Sequence, residues 1–452
     1  MIHFLKIKNF GPVNEEAVLD FEVAEMDEAE AYEVQMPDGR RLLKLAYIYG
    51  ANASGKTTFL KAFEFLRELL LKPLSEKSLA FNFEPFLFSK APYERSSTFT
   101  LSFYCDGIRH VYEVTFTKYA ILQERLVFYQ TAKPTELFSR ATDEKKRLTT
   151  ITFGSRVKIP SRERDLLESN TLHNNTVIGA YAKTNVDIPE LEVLYSFFAS
   201  FLYGMITPTD NLTELTSSMV NANPAFQKWM NEFLFKADRQ IAAVQAHSEF
   251  ESFPLDDSFF GKTNRFSTQG NVRKQFPVTS DLETTTTTTT VLPTRFYGGG
   301  TVERRVDVVH RVKGQEWLLP LRSESSGTRH YFGLGWPLYL LIHGSHMLCI
   351  DELENSLHPE LMQHVLKVFL LNARKSQLLI TTHSLSLMEN EDLVRKDALW
   401  FCQKNEDGST QLYSASDIDS SALRKGANIS NAYKAGRLGA KPNLGSPYLT
   451  ED

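Results

Sequence analysis

The stretch Leu45-Ala46-Tyr47-Ile48-Tyr49-Gly50-Ala51-Asn52-Ala53-Ser54-Gly55-Lys56-Thr57 decides how this chain reads. From Gly50 onward it satisfies G-x-x-x-x-G-K-[ST] at every fixed position. Glycines there let backbone N–H groups curl around phosphate oxygens. Lys56 brings a positive charge to the β and γ oxygens, and the Thr57 hydroxyl is a natural Mg2+ ligand. Gly50, Asn52, Gly55, Lys56, Thr57 and Thr58 are the candidate nucleotide-binding residues. The flanks agree. Leu45 to Tyr49 is a short apolar run of the kind that forms a buried strand. Phe59, Phe63, Leu66 and Leu70 mark one face of a helix that ends before Pro73.

Phosphoryl transfer also needs carboxylates to hold the metal and orient the attacking water. Met347-Leu348-Cys349-Ile350-Asp351-Glu352 supplies an apolar strand running into two acids. Asp351 is the candidate for the Mg2+ side and Glu352 for polarising water. Asn355-Ser356-Leu357-His358-Pro359 follows directly, and His358 reads as loop shaping beside its proline. The next expected strand, Gln377 to Thr382, ends in Thr381-Thr382-His383-Ser384. His383 stands where a histidine sensing the γ-phosphate is expected.

Outward from these motifs, Ile2 to Phe10 is rich in β-formers and stops at Gly11-Pro12. Six Glu or Asp residues between Glu22 and Glu33 read as a solvated surface segment. Thr98 to Tyr104 and Val111 to Thr117 predict a hairpin turning at Asp106-Gly107. Residues 160–245 read as a compact helical lobe, with helices over Glu190 to Leu202 and Phe226 to Ile241 and no heptad for a long coiled-coil arm. Thr284 to Thr290 is a low-complexity run, taken as a linker. Further on, Tyr331 to Ile342 predicts a helix bent at Pro337, and Pro359 to Leu371 another. Strand and helix alternate here, which argues for an α/β sheet. The expected organisation is 1–157, the N-terminal part of an α/β head; 158–290, a helical insertion with its linker; and 291–452, the C-terminal part with a basic tail.

Composition fits a folded chain. Of 452 residues, 42% are apolar and 23% charged, which rules out a largely disordered polymer. Lys plus Arg total 50 against 55 Asp plus Glu, so a net charge of −5 gives no whole-molecule reason to bind DNA or an anionic membrane. Cys105, Cys349 and Cys402 match no zinc spacing and read as buried thiols in a reducing compartment. The longest apolar stretch, Tyr331 to Ile350, is broken by glycines, a proline and histidines, and the N-terminus lacks a signal-peptide pattern. A cytoplasmic protein without membrane contact is expected.

Taken together, the motifs resemble ABC-type ATPase heads of the SMC and overcoming-lysogenization-defect branch. Ile7-Lys8-Asn9-Phe10-Gly11 is similar to the opening strand of those heads, and Ser325-Ser326-Gly327-Thr328-Arg329 to the branch's degenerate signature motif. Ile429 to Ala440 resembles the tail of a bacterial subgroup associated with abortive infection. The resemblance covers residues 1–105 and 291–445. It implies Mg2+-dependent ATP hydrolysis with Lys56 and Thr57 on triphosphate and metal, Asp351 as the Mg2+-side acid, Glu352 as catalytic base and His383 as switch histidine. It further implies that Ser325 and Gly327 contact the γ-phosphate of a nucleotide held by a partner subunit, in a homodimer or higher oligomer. Asn355 and Ser356 would lie in the loop crossing that interface. Two departures stand out. The usual glutamine after the first helix is missing from Glu84-Pro85-Phe86-Leu87-Phe88, with Gln123 too far along to replace it. Glu324 precedes the signature serine where an apolar residue is usual.

Three function classes compete. A transporter subunit fits worst, because a large insertion separates Lys56 from Ser325. A DNA-acting SMC-like ATPase of repair or chromosome maintenance lacks coiled-coil arms. The acid-free run of Arg424, Lys425, Lys434, Arg437 and Lys441 keeps nucleic-acid contact open as the alternative. The resemblance favours an ATP-hydrolysing sensor or scaffold of an antiphage, abortive-infection system. Related full-length proteins carry a TOPRIM nuclease domain, and the stretch after His383 is too short for one. Asp417-Ile418-Asp419 is formally Asp-x-Asp but lies in a Ser-rich segment. The expected effector is therefore a separate chain, a TOPRIM-type or other nuclease.

Overall fold

The computed structural model describes residues 1–24, 30–252, 300–390, 392–418 and 429–441. The Thr284 to Thr290 run, Arg424, Lys425 and Asp419 lie outside the described residues. The chain divides into two compact units, one of Met1–Asp210 with Pro337–Asp452, the other of Asn211–Trp336.

The first unit is mixed α/β. Its five-stranded sheet has the order Met347–Ile350, Gln377–Thr381, Leu45–Gly50, Leu399–Lys404, Thr410–Ser414. The first four strands run parallel and the last is antiparallel. Leu45–Gly50 is buried at every residue, as an apolar central strand covered on both faces must be. A seven-stranded antiparallel sheet runs Leu148–Phe153, Thr135–Asp143, Ile121–Tyr129, Ile108–Phe116, Ser97–Cys105, Ile2–Lys8, Ala17–Asp20. The hairpin expected at Asp106-Gly107 is there: both residues take positive φ, as a tight two-residue turn requires.

The helix after the phosphate loop spans Lys56–Leu71. The sequence shows one apolar face, but Leu60, Ala62, Phe65 and Leu69 are buried as well as Phe59, Phe63, Leu66 and Leu70. A helix apolar nearly all round is one covered on more than one side. Phe65 supplies one side, with its ring 5.8 Å from Phe99 and 5.2 Å from Phe116 of the antiparallel sheet. Fixing this helix fixes its N-terminus, where the phosphate loop ends.

Several expectations need correction. The helices of 161–201 belong to the first unit, not to a separate lobe. Helix Pro189–Phe201 lays Phe198 against Phe103, ring centroids 4.9 Å apart. The chain beyond it pairs in parallel with the sheet edge at Leu202–Met347 and Ile206–Ile350. Helix Pro224–Ala237 stops short of Ile241, which opens a strand. The acidic segment is not wholly solvated. Tyr32 is buried, and the nearly buried Glu33 carboxylate accepts from Arg395 at 2.6 Å and Arg41 at 2.9 Å. The expected helix from Tyr331 is two helices, Ser326–Gly333 and Gly335–His343. The break falls at Leu334 between two glycines. Pro337 sits in a first helical turn, where its missing N–H is not needed.

The second unit contains helices Leu212–Ala222 and Pro224–Ala237 and a three-stranded antiparallel sheet of Ile241–Ser252, Gly300–Val312 and Gln315–Pro320. This sheet was not expected from the sequence. Its core includes Phe233 stacked on Tyr331 at 4.4 Å and Phe226 edge-on to Trp336 at 5.0 Å. Among the described residues no helix is long and apolar enough to cross a membrane.

Candidate functional site

The carboxyl ends of the parallel strands converge, which is where open α/β sheets place ligands. Gly50 ends one strand, Asp351 follows a second, and Thr381 ends the strand between them. A cavity of about 370 Å³ opens there, lined by Pro12, Asn52, Ala53, Gly55, Lys56, Thr57, Glu352 and His383.

Lys56 is buried and folds back over the loop, its Nζ donating to the carbonyls of Gly50 and Ala51, both at 2.9 Å. Burial pulls its ammonium below the usual range, opposed by Cys402, Asp351, Glu352 and Glu354. Ser54 Oγ is buried without a partner among the described residues. An orphaned hydroxyl and a lysine satisfied by carbonyls of its own loop form a donor set suited to an anion such as phosphate.

The acidic half is braced by two threonines. Thr57 Oγ1 donates to both Asp351 oxygens at 3.1 Å. Thr381 Oγ1 donates to Asp351 Oδ1 at 2.5 Å and accepts the Glu352 backbone N–H at 2.8 Å. Glu352 takes a left-handed backbone, φ 50°, which turns its exposed side chain to the cavity. The fully buried Leu353 anchors the turn from below, its N–H donating to the Thr381 carbonyl at 3.2 Å. Hydroxyl and carboxylate oxygens are the hard donors that suit Mg2+, which takes one or two carboxylates and completes its shell with substrate phosphates and water. Among the described residues no group of three His, Cys, Asp or Glu gathers for a metal. The fit is therefore to a cation shared with a phosphate ligand. Burial and the nearby Lys56 lower the His383 imidazole pKa, against Glu354, Glu352 and a hydrogen bond to the Gly50 backbone.

The structure thus brings Asn52, Gly55, Lys56, Thr57, Glu352 and His383 to one cavity, with Asp351 bonded to Thr57 at its base. Gly50 contributes its carbonyl. Thr58 departs from expectation: it is buried in the helix, and its methyl would lie 3.2 Å from a Cβ at Gly11. Ser325 and Gly327 belong to the second unit and do not line the cavity. Ser325 is exposed and caps helix Ser326–Gly333, accepting the Thr328 N–H at 3.0 Å. The anomalous Glu324 pairs with His310 at 2.7 Å, which explains how an acid is tolerated there. Gln123 is exposed on its strand, so it stands in for no missing ligand at the cavity. In the tail, Lys434 pairs with Glu389 at 2.6 Å and Lys441 donates to the Lys434 carbonyl, so part of the basic run is engaged by the chain itself. Asp417 closes a capping box with Ser414.

Thr381, Glu354 and Thr410 are functional neighbours that the motifs did not announce. Thr410 Oγ1 donates to the Ser54 carbonyl at 2.7 Å and packs against Gly55. Only the position of Thr381, two residues before His383, carried a hint.

A phosphate-cradling loop, a paired acid and a histidine at the ends of a parallel sheet define a nucleotide-binding ATPase class. Residues 45–389 match the family described as "AAA domain, putative AbiEii toxin, Type IV TA system", and the chain belongs to that family. It is an ATPase of the AAA type, AbiEii-like. No curated protein matches it. Among solved structures it is similar to the SMC head domain from Thermotoga maritima (13% identity, 91% of this chain and 98% of that one, TM-score 0.38). It is also similar to an SmcHead bound to the C-winged helix domain of ScpA (13%, 96% and 99%, 0.38). A third is the Smc head with an extended coiled coil bound to the C-terminal domain of ScpA derived from Pyrococcus furiosus (11%, 97% and 98%, 0.39).

Proposed function

We infer that the chain binds and hydrolyses ATP with Mg2+ at the Lys56–Asp351–Glu352–His383 cavity, as the sensor or scaffold of an antiphage, abortive-infection system that controls a separate toxic effector, a TOPRIM-type or other nuclease. The observation that carries the ATPase part is the Thr57–Asp351–Thr381 hydrogen-bonded chain beside Lys56 and Glu352. Lys56 would exchange its loop carbonyls for phosphate oxygens, and Thr57 with Asp351 would hold the cation. Bound there, Mg2+ would neutralise developing phosphate charge. Glu352 would accept a hydrogen bond from the attacking water, and His383 would read the γ-phosphate. The resemblance of the exposed Ser325 and its neighbours to a signature motif supports a head-to-tail homodimer in which each chain completes the other's site. Membership of a family of putative AbiEii toxins of type IV TA systems supports the defence context.

The test is paired. Glu352→Gln should bind ATP and fail to hydrolyse it, and Lys56→Ala should weaken both, since a cation leaves the phosphate cradle. In cells, the chain alone should give neither phage protection nor toxicity. Co-expression with its neighbouring effector gene should protect, and Lys56→Ala should abolish that protection. Full protection by the chain alone would refute the separate effector. DNA binding that weakens steeply with salt and directs hydrolysis would instead favour an ATPase acting on DNA.

A further inference from the structure

We propose that Glu354 is a positioning residue: its side chain straps the His383 segment to the turn that carries Asp351 and Glu352. This deepens the ATPase reading above and rests on it. The turn is held from within. Asn355 N–H donates to the Glu352 carbonyl at 2.9 Å and Leu357 N–H to the Glu354 carbonyl at 3.0 Å, while Leu353 plugs the core beneath. From this turn the Glu354 side chain reaches the next strand's end, where its Oε1 accepts the backbone N–H of His383. Its Oε2 is enclosed and has no partner among the described residues. A carboxylate oxygen kept out of water without a donor is costly, so the placement needs a compensating reason.

Other bonds hold the neighbours of His383: Thr381 accepts the Glu352 and Leu353 N–H groups of the acidic turn, and Thr382 and Ser384 are tied to the phosphate-loop strand. Thr382 N–H donates to the Ile48 carbonyl at 3.2 Å, and Tyr49 Oη donates to the Ser384 carbonyl at 3.0 Å. Both lead to the phosphate-loop strand. Glu354 supplies the bond at His383 itself, and it comes from the acidic turn. The strap extends the Thr381 bonds to His383 itself, so that the acid that orients water and the histidine that reads phosphate are held to one another.

Reach and charge separate in the variants. Glu354→Gln keeps an acceptor oxygen at the same reach and loses the charge. Glu354→Asp keeps the charge and falls one methylene short. Steady-state ATPase assays should show Glu354→Asp slower in kcat by about tenfold or more with KM for ATP within about twofold, because misplacement by an ångström costs rate rather than binding. Glu354→Gln should restore most of the rate. His383→Ala and the double variant His383→Ala/Glu354→Asp should be equally slow, since the strap acts through His383. A fast Asp variant beside a slow Gln variant would overturn the strap in favour of a charge role, and so would a double variant slowed by the full product of the two singles. Wild-type hydrolysis by Glu352→Gln would instead bring down the underlying site assignment, and thermal melts of all variants exclude loss of fold.

Discussion

Gly55→Ala tests how tightly the phosphate loop is bound into the rest of the molecule. Gly55 has φ 102°, a conformation that L side chains rarely adopt. Holding alanine there costs about 1–2 kcal/mol in backbone strain. The new Cβ would also lie 2.4 Å from Thr410 Oγ1 and 2.9 Å from Thr410 Cγ2, so the threonine must move. Moving it breaks the hydroxyl's bond to the Ser54 carbonyl, worth about 1 kcal/mol, and strains the bond from its N–H to the Pro12 carbonyl. The sum is about 2–4 kcal/mol, a loss measurable as a shift in urea midpoint at constant slope. Thr410→Ala removes the two clashing atoms but leaves φ unchanged. The double variant Gly55→Ala/Thr410→Ala should therefore recover the steric share, giving a coupling of about 1 kcal/mol or more. Strict additivity, or a Gly55→Ala protein as stable as wild type, would refute the account. ATP binding should fall in both Gly55 variants if the strained backbone is the part that meets phosphate, as proposed.

Thr381→Val keeps shape and removes the hydroxyl shared by Asp351 and the Glu352 N–H; kcat should fall about tenfold or more with KM for ATP little changed. Ser325→Arg should leave the monomer folded and block ATP-driven dimerisation, read by mass measurement in the Glu352→Gln background with and without Mg-ATP. A strict monomer in the Glu352→Gln protein under both conditions would refute the dimer. Burial pushes the Glu124 carboxyl up to about 7, against Arg140, the Val177 N–H and the Tyr112 hydroxyl. A folded-state pKa above the unfolded value means the native state holds the extra proton. Wild-type stability should thus decline as pH rises from about 4.5 through about 7, and Glu124→Gln should flatten that slope in denaturation at pH 5, 6 and 8.

The sequence alone determined what is carried by neighbouring residues. The loop Gly50 to Thr57 needs its glycines, lysine and threonine in one short run, so the phosphate cradle was legible, as were the Asp106-Gly107 hairpin and the apolar strand running into Asp351 and Glu352. These are local matters of φ, ψ and residue type. What the tertiary structure decided is which distant groups complete them. Thr410 closes against Gly55, Thr381 bridges Asp351 to the Glu352 N–H, and Glu354 holds His383. None of these pairings has a spacing that a motif could display. Glu33 looked solvated because its acidic neighbours did, and only the fold supplies Arg395 to bury it. The helices of 161–201 looked like an insertion because helical periodicity reports an apolar face and not its partner; Phe198 finds Phe103 in a strand of the antiparallel sheet, and that places them in the first unit. The sheet of Ile241–Ser252 and Gly300–Val312 escaped for a related reason: strand pairing is satisfied across the chain, so its energy is invisible in either strand alone.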